Sequence, residues 1–178
     1  RLETLSIVLT NEVEARHILI VGLGSPEKLT VQALQEIGAK AVSCLRKTKI
    51  KRVIFDLQWD RLDKTEEFSA YLASGAQIRN WKFDIYKTQK QESVCLEEAV
   101  VMAADLDKAE EIFKRLSAVN EGLSLTRHVV SEPPNVLYPE SMALKALGLT
   151  ELGIKVEVLG EKDMEKLGMG ALLGVGQG

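Results

Sequence analysis

Acidic side chains are the most numerous groups in this chain that could do chemistry, with 26 Asp and Glu residues against 23 Lys and Arg. They form a pair at Glu97 and Glu98 and a cluster of Asp105, Asp107, Glu110 and Glu111. Paired carboxylates can serve as general acid and base or can hold a metal ion. The cluster, however, opens a helical pattern, where acids interact favourably with the helix dipole. We therefore predict a solvated helix start rather than a catalytic pair.

The histidines and cysteines are few and isolated. His17 and His128 are the only histidines, and neither has a second ligand-type residue at the spacing that zinc sites use. His128 lies beside Arg127 in the last turn of a predicted helix, where positive charge suits the dipole. We predict structural roles for both histidines, and buried reduced thiols for Cys44 and Cys95.

One glycine-rich turn and two tryptophans complete the candidates. Gly22-Leu23-Gly24 follows a predicted strand and precedes a helix, which is the context of a phosphate-binding turn. The position of the third glycine is Glu27, whose charge opposes phosphate, so we predict a tight turn without a nucleotide. Trp59 and Trp81 are predicted to pack rather than to stack on a ligand. The residues by themselves predict no catalytic, metal-binding or substrate-binding site.

The composition of the chain limits the kinds of molecule that it could bind. A net charge of −3 and a pI near 5.6 do not favour binding to a phosphate backbone. A basic segment still leaves nucleic-acid binding open as an alternative; its residues are Arg46, Lys47, Lys49, Lys51 and Arg52. No apolar run is long enough to span a bilayer, and the chain begins without a signal-peptide core. We therefore expect a cytoplasmic protein.

The elements that would position these residues alternate between strands and helices. Strand patterns cover residues 5–9, 16–24, 52–57 and 98–103. Helical patterns cover residues 30–45, where Thr30 is the predicted N-cap, and residues 65–81. This alternation predicts an α/β domain with a largely parallel sheet that ends near residue 104. The continuous apolar run from Ile18 to Val21 predicts a strand buried on both faces.

A long helix and a proline-rich junction follow. Apolar residues at helical spacing predict a connecting helix over residues 105–131, and Pro133 and Pro134 must end it because they remove backbone donors and fix φ. Pro139 suits the first position of the next helix. Beyond it we predict helices at 139–147 and 161–167, a strand at 154–159, and a strand or buried loop at 171–176.

These last elements are too few to cover both faces of a parallel sheet. Residues 132–178 are therefore expected to be the incomplete start of a second domain, or a domain that a partner chain completes. We expect exposed apolar surface there, near Val156, Val158, Leu172 and Val175.

Two segments of the sequence resemble a known family. Glu-Pro-Pro-Asn-Val-Leu-Tyr-Pro-Glu at residues 132–140 and Leu-Gly-Met-Gly-Ala-Leu-Leu-Gly-Val-Gly-Gln-Gly at residues 167–178 resemble segments of the leucyl aminopeptidases, also called cytosol aminopeptidases. Residues 20–24 and 81–88 resemble the N-terminal domain of that family. The similarity covers nearly the whole chain.

The resemblance implies a macro-like N-terminal α/β domain with a mainly parallel mixed sheet at residues 1–104, a connecting helix at 105–131 and the truncated start of an α/β catalytic domain at 132–178. Enzymes of the family are hexamers that hold two divalent metal ions, usually zinc, manganese or magnesium. The metals bind the free amine of a peptide and activate a water that attacks its first carbonyl. The metal-binding lysine, aspartates and glutamate and the catalytic arginine lie in motifs that do not occur among these 178 residues. No catalytic, metal or substrate residue can therefore be carried over.

The resulting expectation is the N-terminal part of a metal-dependent enzyme that removes N-terminal amino acids from peptides, with leucine preferred. The whole protein would bind two Mn or Zn ions and form a homohexamer. The chain alone would be inactive and would bind no catalytic metal. The alternatives are a macro-like module that binds ADP-ribose and a DNA-binding module.

Overall fold

The structure is a computed structural model that describes residues 3–9, 15, 17–25, 29–46, 48–56, 65–88 and 96–176. The predictions made for Glu27, Lys47, Trp59 and Cys95 lie outside these ranges. The chain divides into two compact units, Arg1–His128 and Val129–Gly178. The domain boundaries predicted at residues 104 and 131 stay predictions.

The described residues of the first unit form four short strands. They are β1 (Thr4–Val8), β2 (His17–Val21), β3 (Arg52–Phe55) and β4 (Glu98–Val101). β1 pairs with β2 in the antiparallel sense, and β3 pairs with β4 in the parallel sense. The predicted α/β class is confirmed, with strand pairs of both kinds.

The prediction that β2 is buried on both faces is wrong. Ile18 and Ile20 are 40% and 51% exposed, and they lie opposite Ile7 and Leu5 of β1 on one apolar face. Val21 on the other face packs against the helical core. An antiparallel pair commonly has one face on the core and the other in solvent. A continuous apolar run therefore does not by itself show that a strand is buried on both faces.

Two helices cover the inner face of these strands. They are α1 (Val31–Leu45) and α2 (Thr65–Asn80). The core joins Leu34 and Ile37 of α1 to Leu72 of α2, and strand residues such as Val21, Phe55 and Val101 pack against it. Burial of these apolar side chains is the main force that holds the helices to the strands.

Each end of α1 is fixed by local hydrogen bonds. The Thr30 Oγ1 atom accepts a hydrogen bond from the Ala33 backbone N–H at 3.2 Å, as predicted for an N-cap. The Arg46 N–H donates to the Val42 carbonyl at 3.0 Å and closes the last turn. The helix therefore begins and ends where the sequence pattern indicates.

Glycines bring α1 and α2 into backbone contact. A Cβ atom added to Gly38 would lie 2.1 Å from the Leu72 carbonyl oxygen, and one added to Gly75 would lie 2.0 Å from the Gln35 carbonyl oxygen. No side chain fits at either distance. The close approach of the two helices thus depends on both glycines.

The predicted long helix is present as α3 (Leu106–Ser131), 26 residues in length. The Asp105 Oδ1 atom accepts a hydrogen bond from the Lys108 N–H at 3.2 Å at its start. Ala109 and Asn120 are its buried residues. The connecting role assigned to this helix stays a prediction.

In the second unit, the residues that the structure describes form three short helices after the end of α3. They are α4 (Pro139–Leu147), α5 (Glu161–Lys166) and α6 (Gly170–Gly176), with a 3₁₀ turn at Gly148–Leu152. The helices predicted at 139–147 and 161–167 are therefore confirmed.

The two strand predictions in this unit are wrong. Residues 154–159 have no regular secondary structure, and residues 171–176 lie within α6. A strand needs a neighbour for its backbone donors and acceptors, whereas a helix satisfies them internally. The expected exposed apolar surface is confirmed at Val158, Leu172 and Val175, which are exposed by 49%, 55% and 80%, whereas Val156 is half-buried.

Candidate functional site

The junction after α3 is a compact turn built on Pro133. The backbone N–H groups of Val136 and Leu137 both donate to the Pro133 carbonyl at 2.9 Å. The Ser141 hydroxyl accepts from the Tyr138 N–H at 2.9 Å and lies 3.0 Å from the Tyr138 carbonyl. With Pro139 at the first helical position, these bonds fix the start of α4.

A second turn links α5 to α6 at the Gly-Met-Gly segment. Gly168 has a φ of +71°, which lies in the left-handed region that favours glycine. The N–H groups of Leu167 and Met169 donate to the Asp163 and Met164 carbonyls at 3.1 and 3.0 Å. These bonds satisfy the last carbonyls of α5, so this glycine ends one helix and lets the next begin.

The acidic residues singled out in the sequence are held in ion pairs or at a helix start. Glu97 lies 2.7 Å from the Lys51 ammonium, and Glu98 lies 3.0 Å from the Arg52 guanidinium. Glu111 pairs with Arg115 at 2.7 Å. In the described ranges, no group of three or more His, Cys, Asp or Glu side chains could hold a metal ion. The ion pairs of Glu97, Glu98 and Glu111 join each acid to a cation, and the absence of a catalytic pair stays a prediction.

Two of these ion pairs involve the basic segment that left nucleic-acid binding open as an alternative. Lys51 and Arg52 face carboxylates at and just before the start of β4, and the Arg46 guanidinium donates to the backbone carbonyls of Arg79 and Trp81. A cation that already faces a carboxylate gains less from a phosphate. The DNA-binding alternative is therefore not favoured.

An aromatic cluster ties the loop after α2 to the end of the first unit. The Phe83 ring centroid lies 5.3 Å from that of His128 in an edge-to-face arrangement and 6.3 Å from that of Trp81. The Arg127 guanidinium lies 5.8 Å from the Trp81 ring centroid. Trp81 and His128 thus pack within the unit, as predicted.

His17 contacts a hydroxyl across the β1–β2 pair. Its Nε2 atom and the Ser6 Oγ atom form a hydrogen bond. Among the described residues no carboxylate is hydrogen-bonded to His17, so nothing orients this pair for nucleophilic attack as in a catalytic triad. We assign the contact a structural role.

Among the described residues, Asp84 in the loop after α2 is the one side chain whose pKa is clearly displaced. A hydrogen bond from Lys87, at 2.5 Å, lowers the pKa of Asp84 below its usual value, and the positive charges of Lys87, Lys82 and Arg46 act in the same direction. Asp84 is exposed, and solvent screens the pair. The shift marks a local loop contact rather than a reactive group.

The glycine turn after β2 is structural as well. The Gly22 N–H donates to the Glu3 carbonyl at 2.9 Å and continues the β1–β2 pairing, while Gly24 has a φ of +76°. The positive φ explains why glycine is needed at residue 24. The ADP-ribose alternative gains no support from this turn.

Sequence reasoning missed the buried polar group Asn120. It is 4% exposed, and its side-chain N–H₂ group lies 3.1 Å from Ser74 Oγ and 2.6 Å from Gln77 Oε1 on α2. Its position between Leu116 and Leu123 on the apolar face of α3 was the available signal. It also missed a cleft beside α2, which is described below.

The fold defined by these elements resembles that of aminopeptidases. Among solved structures, a mutant of tomato leucine aminopeptidase superposes with a TM-score of 0.77 at 16% identity, covering 93% of this chain and 33% of that one. The bottromycin maturation enzyme BotP in complex with Mn superposes with a TM-score of 0.75 at 20% identity, covering 93% and 34%. At these identities the likeness concerns the fold alone.

Sequence comparison gives the family. Residues 1–90 match the N-terminal domain of the cytosol aminopeptidase family, and residues 124–178 match its catalytic domain. A relative from Caulobacter vibrioides is 35% identical over 178 residues, and one from Wolbachia pipientis wMel is 40% identical over 170 residues. Both carry the name "Probable cytosol aminopeptidase". The chain belongs to the cytosol aminopeptidase family, and the resemblance seen in the sequence is confirmed.

The matches cover most of this chain and a minor part of each relative. They include 99% and 93% of this chain but 35% and 32% of the two relatives, so the chain spans about a third of their length. Of the helices in the described ranges, none is long and apolar enough to cross a membrane.

Proposed function

We propose that this chain is the amino-terminal part of an aminopeptidase that removes N-terminal amino acids from peptides, with leucine preferred. The observation that carries the proposal is the order of the two family matches, the N-terminal domain at 1–90 and the catalytic domain at 124–178. The junction at Pro133 lies near the start of the second match, where the ordered turn leads into α4.

The whole protein is proposed to use two divalent metal ions, manganese or zinc. In support, the structural neighbour BotP is described as a complex with Mn. The described residues of this chain do not fit such a centre, because they provide no cluster of three metal-binding side chains. When bound, the metals would supply an activated water and a polarised carbonyl. No part of that chemistry is assigned to residues of this chain.

The contribution of this chain is instead structural. Pro133 and Pro134 end α3, and Ser141 and Pro139 define the first turn of α4. The Gly168 turn then sets the start of α6. We propose that these two turns place the opening helices of the catalytic domain, while the first unit serves as its N-terminal domain.

The test is hydrolysis of leucine p-nitroanilide in the presence of Mn²⁺ or Zn²⁺. The 178-residue chain is expected to give no turnover above the buffer rate and to retain no metal after dialysis. A protein extended by the rest of the reading frame is expected to hydrolyse the substrate and to lose activity with a chelator. Turnover by the chain alone would contradict its inactivity, and an inactive metal-loaded extended protein would refute the aminopeptidase proposal.

Assembly and location are part of the same proposal. We propose that the protein is cytoplasmic, which the name of the relatives as cytosol aminopeptidases supports. We also propose that it forms a homohexamer, as the resemblance in the sequence implies. Light scattering coupled to size-exclusion chromatography of the extended protein measures the mass of the assembly directly. A monomeric mass at micromolar concentration would refute the hexamer without bearing on the chemistry.

A further inference from the structure

A cleft of about 370 Å³ opens in the first unit between α2, β4 and α3. Six alanines contribute to its wall: Ala70, Ala73, Ala76, Ala99, Ala103 and Ala109. Leu106 and Phe113 of α3 add larger apolar surface. The volume lies at the small end of the range of ligand pockets, about 300–1,000 Å³, so the cleft suits a small molecule.

The polar side chains in the wall already form hydrogen bonds within the protein. The Ser69 hydroxyl donates to the Met102 carbonyl at 2.8 Å. The Asn80 amide group donates to the Leu96 carbonyl at 2.8 Å and accepts from the Leu96 N–H at 3.1 Å. Because these groups are used within the protein, the wall offers a ligand mainly apolar contact.

The charged residues in the lining are all negative. They are Glu97, Glu98 and Glu110, and no Lys, Arg or His is among the described residues that line the cleft. Glu97 and Glu98 are neutralised by Lys51 and Arg52. Glu110 has neither an ion pair nor a hydrogen bond within the described part of the chain. The Glu110 carboxylate thus lies at the edge of an apolar cleft without a counterion among the described residues.

We propose that this cleft binds a small apolar molecule with one positive charge, such as an aliphatic primary amine. The apolar part would lie against the alanines, where burial removes hydrocarbon from water. The ammonium group would donate a charge-assisted hydrogen bond to the Glu110 carboxylate. A carboxylate in place of the ammonium would be repelled. The proposal does not depend on the aminopeptidase activity.

The test compares three ligands of one length, hexylamine, hexanol and hexanoate, by NMR titration of the intact chain. Hexylamine is expected to bind with a dissociation constant on the order of 1 mM, as suits so few atoms, and to shift the amide signals of α2, β4 and the first turns of α3. Hexanol is expected to bind about two- to fivefold more weakly because it lacks the ion pair, and hexanoate more weakly still.

Two kinds of substitution separate the charge from the cavity. Glu110→Gln is expected to reduce hexylamine binding to the level of hexanol and to leave hexanol unchanged. Glu111→Gln, on the same helix but outside the lining, is the matched control and is expected to change neither. Ala73→Leu fills part of the cleft and is expected to abolish binding of both ligands.

Several outcomes would overturn the proposal. They are equal affinity for hexylamine and hexanoate, absence of binding by all three ligands, signal shifts confined to β1 and β2, or equal effects of Glu110→Gln and Glu111→Gln. Ala103→Leu repeats the filling experiment from another wall, and circular dichroism verifies that each variant folds. Unchanged hexylamine binding in both folded, filled variants would also refute the site.

Discussion

Asn120 shows how one polar side chain can fix the position of a helix. Its amide lies 4% exposed between α3 and α2, hydrogen-bonded to Ser74 and Gln77. Ser74 is itself fully buried and also lies 3.2 Å from Gln35 Nε2 on α1. A shift of α3 along α2 would leave the buried side chains of Asn120 and Ser74 without these hydrogen bonds, at a cost of about 1–3 kcal/mol for each.

Replacing Asn120 should therefore lower stability more than its size suggests. Asn120→Leu leaves Ser74 and Gln77 without this partner, and we expect the free energy of unfolding to fall by about 1–3 kcal/mol. Urea denaturation followed by circular dichroism measures the change. Glu121→Ala, at the exposed neighbouring position, is the control and should stay within about 0.5 kcal/mol of the original chain.

A double substitution identifies the cause. Ser74→Ala combined with Asn120→Leu removes both buried polar side chains and should recover part of the loss, because the partners that remain, Gln35 and Gln77, are not buried. An Asn120→Leu variant as stable as the original chain would show that the hydrogen bonds contribute no net stability.

Individual residues were predictable from sequence where their partners are local. Thr30 caps α1 through a group three residues away, and the cap was predicted correctly. Lys51 and Glu97 lie far apart in sequence and meet only because β3 and β4 pair, so the basic segment looked free. Asn120 sat on an apolar helix face, but its partners on α2 could not be read from a local pattern.

At the scale of elements, the contact between α1 and α2 depends on two glycines, which have no side chain. Gly38 and Gly75 each lie at a point where a Cβ would come about 2 Å from a backbone oxygen of the other helix. Backbone atoms cannot move aside as the end of a flexible side chain can. The helical pattern predicted both helices, but it gave no sign that they touch backbone to backbone.

Adding one methyl group at this contact should push the helices apart. An exposed Gly→Ala change inside a helix usually stabilises by about 0.5–1 kcal/mol. At Gly38 we expect the opposite, a loss of about 1–3 kcal/mol from overpacking. Gly122→Ala in α3 is the matched control, because nothing lies within 4 Å of its added Cβ, and it should gain up to about 1 kcal/mol.

Thermal and urea unfolding of the two variants give the comparison. If Gly38→Ala and Gly122→Ala stabilise alike, the close packing of α1 on α2 is not present in solution. Opposite signs would support the contact.

The strand predictions show what periodicity cannot decide. Residues 154–159 alternate as a strand would, yet they form no ladder. Residues 171–176 satisfy their backbone groups within α6 instead. Whether such a segment forms a strand depends on a neighbour at the right edge, which a single segment does not reveal.

At the scale of the whole molecule, the two units differ in how much apolar surface they bury. The first unit holds a core of Leu34, Ile37 and Leu72, with strand residues packed against it. The helices of the second unit contain no buried residue, and Val175 is 80% exposed. Local opening costs least where few apolar contacts are lost, so the units should differ in local stability.

Hydrogen exchange should resolve this difference along the chain. We expect the slowest exchange in α1, α2 and the part of α3 around Asn120, where opening approaches the global free energy of unfolding. Residues 153–160 and α6 should exchange fastest, because opening them exposes little buried surface and their opening free energy is close to zero. Mass spectrometry of peptides across the chain measures both.

In a protein extended through the rest of the reading frame, α6 should become protected, because the remaining catalytic domain would cover Leu172 and Val175. Strong protection of α6 in the 178-residue chain alone would contradict the view that its apolar face lacks a partner.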